Sequence, residues 1–475
     1  MRITLIYPGF VNIGFNSLGR GGMDTCWINL GLAYIGAYLE KNNYEVDLID
    51  LRATKGWVDF ERIIKEKNSD IYGVHFNTPN YNNAMQCAKR IKKIDKKKII
   101  VGGGPHATIA PDDLLSSGVI DYVIVGEGEI SFLELVQTLE RGDTSGRIIN
   151  GKRIENYDDL PFPDRDIYPL DRVLHPLGNF PFLDNGIIIL ASRGCAYNCT
   201  FCQPLVRKIF GNKVRHRSVS NVIEEVKYVI KKYRVKYISF QDDTFTFSKK
   251  WVIEFCENII KEKINIQWSA QSRVNTIDEE MIKIMKRAGC ACLFFGFESG
   301  SQGILNFLRK GITVEQSLEA AGLCHKYGIL IFADYMLGIP TETSKDLQLT
   351  YQLIQKIKPH INSASYFTPV PGCDLYNYCK ERKIIKINDY EGFARNPFGE
   401  KIEGVDYKLL DKFRDKMAKE FTAWFMEFDF TIMVLKRWQN LLIKGYWREM
   451  LREFRVQSSF KYHLSRIFSN LKLSQ

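Results

Sequence analysis

Long apolar runs are missing from this sequence: no window reaches 18 uncharged apolar residues, about the length a membrane-crossing helix requires. The start, MRITLIYPGF, lacks the basic, apolar and cleavage regions of a secretion signal and reads as a first strand, so a cytoplasmic chain is expected. In that setting the eleven cysteines are expected to be reduced, metal-bound or buried rather than paired in disulfides. No internal repeat and no low-complexity tract occurs, which excludes a solenoid. There is no G-x-x-x-x-G-K-S/T phosphate loop, and no G-x-G-x-x-G opens a helix after the first strand, which weakens a dinucleotide reading. Acidic residues are outnumbered, 55 against 66 Lys and Arg. A diffuse net charge of +11 does not imply nucleic acid, and no such partner is expected.

What is present is an ordinary globular composition, 45% hydrophobic and 25% charged, over 475 residues, or about three domains. Residues 1–145 alternate strand patterns (RITLIYP, EVDLIDL, IYGVHF, KIIVGGG, DYVIVGEG) with helical ones, which predicts a doubly wound parallel sheet with ligands beyond the carboxyl ends of its strands. Residues 146–182 hold five prolines and read as an ordered linker without regular elements. From 183 to 400 six more strand runs follow (NGIIILAS, VKYISFQDD, INIQWSAQSR, CLFFGFESG, ILIFADYMLG, NSASYFTPVPG), each followed by a helical pattern. They predict a partial (β/α)6 barrel with its chemistry at the strands' carboxyl ends. Residues 401–475 are helical and aromatic.

SRGCAYNCTFCQ packs Cys195, Cys199 and Cys202 into eight residues just after the first barrel strand. Three thiolates can hold three irons of a four-iron, four-sulfur (4Fe-4S) cluster and leave the fourth iron open to a ligand. A zinc site completed by a residue such as His216, or a cysteine-rich turn, are the plainer readings.

CAYNCTFC in this position resembles the signature of the radical S-adenosylmethionine superfamily, and the resemblance covers roughly residues 183–375. It implies that the open iron chelates S-adenosylmethionine, and that one electron from the cluster cleaves it to a 5′-deoxyadenosyl radical. The missing fourth cysteine is then the seat of the cosubstrate. Further segments fall at strand ends in the family's order. Gln241, Asp242 and Asp243 stand where the family meets the methionine amino group, usually with Gly-Gly-Glu-like residues. Arg273 is a candidate for the methionine carboxylate, Glu298 and Ser299 for ribose or methionine, and Gly338 in MLGIPTET for the adenine end. Phe201, beside the last cysteine, joins this set of cofactor contacts. Each of these segments alone also fits a helix-capping turn.

The pairing with residues 1–145 resembles the cobalamin-binding branch of the superfamily, through GLAYIGAYLEKNNYEVDLID, GVHFNTPN, VGGGPHAT and DYVIVGEGE. It implies a cobalamin whose tail runs along Gly102, Gly103 and Gly104, with Pro105, Gly126, Glu127 and Gly128 in the same site. The D-x-H-x-x-G motif that supplies a histidine to cobalt is absent. His75 and His106 follow later strands, so no histidine ligand is expected. A domain binding a nucleotide, or nothing, is the plainer reading.

Function follows from the resemblance: a cobalamin-dependent radical enzyme, read as a methyltransferase adding a methyl group from methylcobalamin to an unactivated carbon of a small or lipid-like substrate. A flavodoxin or ferredoxin would supply electrons. Oxidative cyclisation or rearrangement without methyl transfer, and a non-catalytic sensor, are the alternatives. Cys373, after the PG of TPVPGCDLY, is a candidate hydrogen-atom donor, or packs as a small hydrophobe. The carboxyl-terminal stretch places Phe421, Trp424, Phe425 and Phe428 on one helical face and has nine basic residues against two acids from 431 on. It suits a peripheral contact with the inner membrane face, or a cap over the barrel.

Overall fold

The computed structural model describes residues 1–9, 15, 27–144, 146–169, 186–421 and 442. The first unit runs β1 (Arg2–Tyr7), α1 (Leu30–Lys41), β2 (Glu45–Asp50), α2 (Trp57–Lys67), β3 (Ile71–His75) and α3 (Tyr81–Ile94). It continues with β4 (Ile99–Gly103), α4 (Pro105–Ile109), α5 (Pro111–Leu115), β5 (Tyr122–Val125), α6 (Glu129–Glu140) and β6 (Ile148–Asn150). The strands form one parallel sheet in the order β2-β1-β3-β4-β5-β6. Residues such as Ile3, Leu5 and Ile6 are wholly buried on both faces, as a sheet covered by helices on each side requires. Pairing Leu5 with Leu48 on one side and Gly73 on the other puts the reversal of strand order between β1 and β3. A crevice forms there at the carboxyl ends. β6 departs from expectation. The proline-rich stretch begins with a short strand hydrogen-bonded to β5, because its prolines all lie further on.

The second unit opens with β7 (Gly186–Ile189), β8 (Ser192–Arg193), α7 (Leu205–Phe210), β9 (Arg215–His216), α8 (Val219–Tyr233), β10 (Tyr237–Phe240) and α9 (Lys249–Lys261). It proceeds through β11 (Gln267–Ser272), α10 (Glu279–Arg287), β12 (Cys290–Glu298), α11 (Gln302–Phe307), α12 (Val314–Tyr327) and β13 (Leu330–Leu337). α13 (Ser344–Ile357), β14 (Ile361–Tyr366), α14 (Asp374–Glu381) and α15 (Tyr407–Phe421) complete it. β7, β10, β11, β12, β13 and β14 are parallel neighbours in chain order, an open six-stranded (β/α)6 arrangement with β7 and β14 at its edges. Helices seal its outside through the Phe240, Phe245, Phe255 and Trp268 cluster, where Trp268 is fully buried and donates to Ala288 O at 2.8 Å. Truncating such a tryptophan to alanine costs about 3–5 kcal/mol. The bore is plugged lower down by Tyr237, Phe294 and Phe332, with the last two stacked at 4.6 Å.

Tyr407, Leu410 and Met417 of α15 pack on the barrel's outer core. The membrane-facing reading of the carboxyl terminus lies outside the described residues. Among the described residues no helix is long and apolar enough to cross a membrane.

Candidate functional site

Two cavities lie where the carboxyl ends of the sheets meet. The first, about 440 Å³, sits at the barrel mouth and is lined by Cys195, Cys199 and Cys202 together with side chains from β11 to β14. The second, about 370 Å³, lies between the carboxyl edge of the first sheet and the base of the cysteine loop.

The cysteine loop is built by its ends. β8 and β9 pair antiparallel beneath it. Gly194 turns the chain at φ +94°, and a Cβ there would lie 2.8 Å from Lys213 O, so no other residue fits without strain. Thr200 N–H donates to Leu308 O at 2.9 Å. From the other side, α14 supplies Asp374 N–H to Gln203 O at 2.9 Å and Leu375 N–H to Thr200 O at 3.0 Å. Burial pushes the Cys195 thiol up and that of Cys202 to about 11, so these sulfurs become thiolates when a cation binds them. Three thiols line one cavity wall, a donor set that suits a multi-iron cluster. His216 is packed against Trp251 and Phe247, with ring centroids 5.6 and 6.3 Å away.

Around the cysteines the cavity is charged. Arg273 lies over the Tyr197 ring at 3.6 Å from its centroid, donates to the Lys310 carbonyl, and stands 3.6 Å from Cys199 Sγ. Glu298, in left-handed backbone at φ +63°, accepts from Lys310 Nζ at 2.7 Å. Gly296 leaves room for that pair, since a Cβ would come within 2.8 Å of Nζ. Deeper in, burial pushes Asp334 up to about 7, helped by the Glu298 charge. Phe201 completes the wall.

Gln241, Asp242 and Asp243 point three ways. Gln241 lines the second cavity and donates to Ser239 Oγ at 2.7 Å. Asp242 enters neither cavity: it is buried and accepts from Ser192 Oγ at 2.5 Å and Ala191 N–H at 3.2 Å, shaping the entry to the cysteine loop. Among the described residues Asp243 is the one that lines both cavities, and its carboxyl accepts from Gly194 N–H.

The second cavity takes the first sheet's glycine turns: Gly103, Gly104, Pro105, Gly126, Glu127 and Gly128 all line it. A Cβ at Gly103 would meet nothing within 4 Å, so its backbone is open to an occupant. The walls between β1, β3 and β5 are apolar (Leu5, Val74, Ile124, Phe132). A cavity of this size, walled by apolar side chains and glycine turns, fits a cofactor tail. The Glu127 carboxylate faces elsewhere, held by Arg193 at 3.2 Å and Arg215 at 2.9 Å and by the Tyr157 hydroxyl.

Four further candidates are turned away. Gly102 faces α5, where a Cβ would lie 2.6 Å from Leu114 Cδ2. Ser299 pairs with Thr350 Oγ1 at 3.1 Å behind β12. Gly338 donates to Glu342 Oε2 at 2.6 Å in a turn closed by the Thr343 cap of α13. Cys373 is fully buried and outside the first cavity's lining, which removes the reach a hydrogen-atom donor needs. Lys310, Asp334 and Tyr197 are site residues that motif reading missed; only the strand alternation Phe332, Asp334, Met336 signals an inward Asp334.

Residues 189–354 match the radical SAM superfamily model and residues 20–136 the B12 binding domain model. The chain is 33% identical over 410 residues to an uncharacterized methyltransferase of Pyrococcus horikoshii, covering 83% of this chain and 86% of that protein. It is 26% identical over 457 residues to the anaerobic magnesium-protoporphyrin IX monomethyl ester cyclase of Rubrivivax gelatinosus, covering 91% and 79%. In fold it is similar to the cobalamin-dependent S-adenosylmethionine radical enzyme OxsB, solved with aqua-cobalamin bound. The TM-score is 0.71 and the identity 16%, over 100% of this chain and 81% of that one.

Proposed function

The chain belongs to the cobalamin-dependent radical S-adenosylmethionine enzymes, and from that premise we propose that it is a methyltransferase acting on a carbon atom of a small molecule. The observation that carries the reading is Asp243, whose side chain borders both cavities, so a methyl donor in one and a methyl carrier in the other would lie on either side of one carboxylate. When bound, the cluster supplies the electron that cleaves S-adenosylmethionine to an adenosyl radical, and cobalamin supplies the methyl carrier. Cys195, Cys199 and Cys202 hold the cluster and leave one iron open. Arg273 binds the methionine carboxylate and Asp243 orients the amino end, each released from the partner it has here. The Glu298–Lys310 pair and Phe201 border the nucleoside. The glycine turns Gly103–Gly104 and Gly126–Gly128 pass the cobalamin tail. Electrons come from a protein of the flavodoxin or ferredoxin type.

The test is labelled transfer. Reconstituted enzyme with S-adenosylmethionine carrying a deuterated methyl group, incubated with extract of its own cells, should yield a product heavier by one labelled methyl. The similarity to the Rubrivivax gelatinosus cyclase favours a second reading, oxidative cyclisation without methyl transfer. A product that forms without the label would establish that reading instead.

A further inference from the structure

The second cavity contains a polar side chain that the protein leaves unsatisfied. His75, the last residue of β3, lines it, and the Nδ1 atom is shielded from bulk water and meets no hydrogen-bond partner among the described residues. The rest of the ring is fixed. It packs edge-on against Tyr7 with centroids 5.7 Å apart, and its Cδ2–Nε2 edge faces Gly104, where a Cβ would come within 3.1 and 3.2 Å. Burial pushes the ring down to about 4, so it is neutral at physiological pH. Leu5, Val74, Val101, Ile124 and Phe132 line the same cavity and are apolar, and none of its polar lining residues bonds Nδ1. A buried nitrogen without a partner is costly and uncommon in native proteins. An occupant that fills an apolar slot with a flat ring and presents one ring nitrogen would remove that cost.

We propose that His75 donates through Nδ1–H to the ring nitrogen of the aromatic base on the nucleotide tail of bound cobalamin, and so selects corrinoids that carry the tail. This rests on the cobalamin reading above. The base offers a free acceptor nitrogen because, with the tail lying in this slot, that nitrogen is not on cobalt. His75 is thus a positioning residue.

Hydroxocobalamin and dicyanocobinamide, which lacks the nucleotide, are titrated into the full chain as wild type, His75→Phe and His75→Asn. Phenylalanine keeps the ring and loses the donor; asparagine offers an N–H near the Nδ1 position. His75→Phe should weaken hydroxocobalamin binding about tenfold and leave cobinamide within twofold, and His75→Asn should recover most of the loss. Equal losses for both corrinoids, or no loss, would overturn the assignment. So would a histidine nitrogen splitting in the paramagnetic resonance of bound cob(II)alamin that vanishes in His75→Phe, which would make His75 a cobalt ligand. A wild type that takes up no hydroxocobalamin removes the cobalamin reading itself. A wild type that binds it without discrimination by His75 removes only the anchor.

Discussion

Arg193, at the base of the cysteine loop, donates to Glu129, the first residue of α6, at 2.6 Å across the boundary between the two sheets. Glu127, two residues earlier, accepts from Arg193 and from Arg215 of β9. The turn that walls the second cavity is therefore bolted to both strands beneath the loop that walls the first. Glu127→Ala leaves the buried guanidinium of Arg215 without its carboxylate, while Arg193 keeps Glu129, and should cost about 3 kcal/mol, read as a lower denaturation midpoint. Iron content and cobalamin uptake should fall together. Iron retained at the wild-type level while cobalamin uptake falls would show that the bolt does not couple the sites.

Cys195→Ala, Cys199→Ala and Cys202→Ala should each abolish adenosylmethionine cleavage, because losing one thiolate leaves a cluster corner unheld. Cys256→Ala, in the barrel's outer core, should keep full iron content. Iron analysis and the characteristic visible absorbance of the reconstituted variants check this. Wild-type iron and cleavage in any of the three would remove the cluster assignment.

Arg273→Ala should retain iron yet weaken S-adenosylmethionine binding about tenfold or more, measured by calorimetry or by KM for cleavage. Arg273→Lys should not rescue it. A point ammonium cannot stack on Tyr197 and offer a planar pair of donors to a carboxylate at once.

Eleven of the twelve strands in the two large sheets are legible in the sequence, most because parallel strands buried on both faces read as apolar runs between turn residues. The half-buried β14 is legible because it follows the helix–strand alternation and ends at TPVPG. β6 is the exception: three residues, Ile148–Asn150, none of them buried, carry too little pattern. The cysteine loop is legible because its chemistry is local in sequence. Gly102 is out of phase because successive residues of a strand face opposite sides, so it meets the packing instead of the cavity. Ser299 lies just past the end of β12, after Glu298 in left-handed backbone, where no strand pattern indicates its direction. Lys310 was invisible, as it reaches the site from the turn after α11 and belongs to no motif.

Asp242 makes stability depend on pH. Burial raises it to about 7 in the folded protein, against about 3.9 in an unfolded chain. Between those values the folded state holds a proton the unfolded chain has released, so stability falls as pH rises from about 4 to about 7 and then levels off. Asp242→Asn can accept from Ala191 N–H and donate to Ser192 Oγ, which keeps the geometry. Its urea midpoint should drop less than wild type between pH 5 and pH 8, by up to about 2.5 kcal/mol in stability. Asp334 and Glu342, pushed up by burial to about 7 and about 8, supply the slope that remains. An unchanged slope in Asp242→Asn would mean that Asp242 is ionised in the folded protein.

Cys373 sits beside the site without entering it. Its thiol is wholly buried and pushed up to about 12, whereas the backbone of Asp374 and Leu375 just after it holds the cysteine loop. A hydrogen-atom donor must touch the substrate; a packing cysteine need only fill space. Cys373→Ser should therefore keep adenosylmethionine cleavage and product yield, at a modest cost in stability. Gly372→Ala should do more harm although it removes no chemical group. Gly372 is at φ +88°, and a Cβ would lie 2.8 Å from Ile109 Cγ2, so the turn must shift and carry the start of α14 with it. The measurement is iron per chain after identical reconstitution. Gly372→Ala should fall below Cys373→Ser, and the reverse order, or loss of product in Cys373→Ser with cleavage intact, would return the thiol to the chemistry.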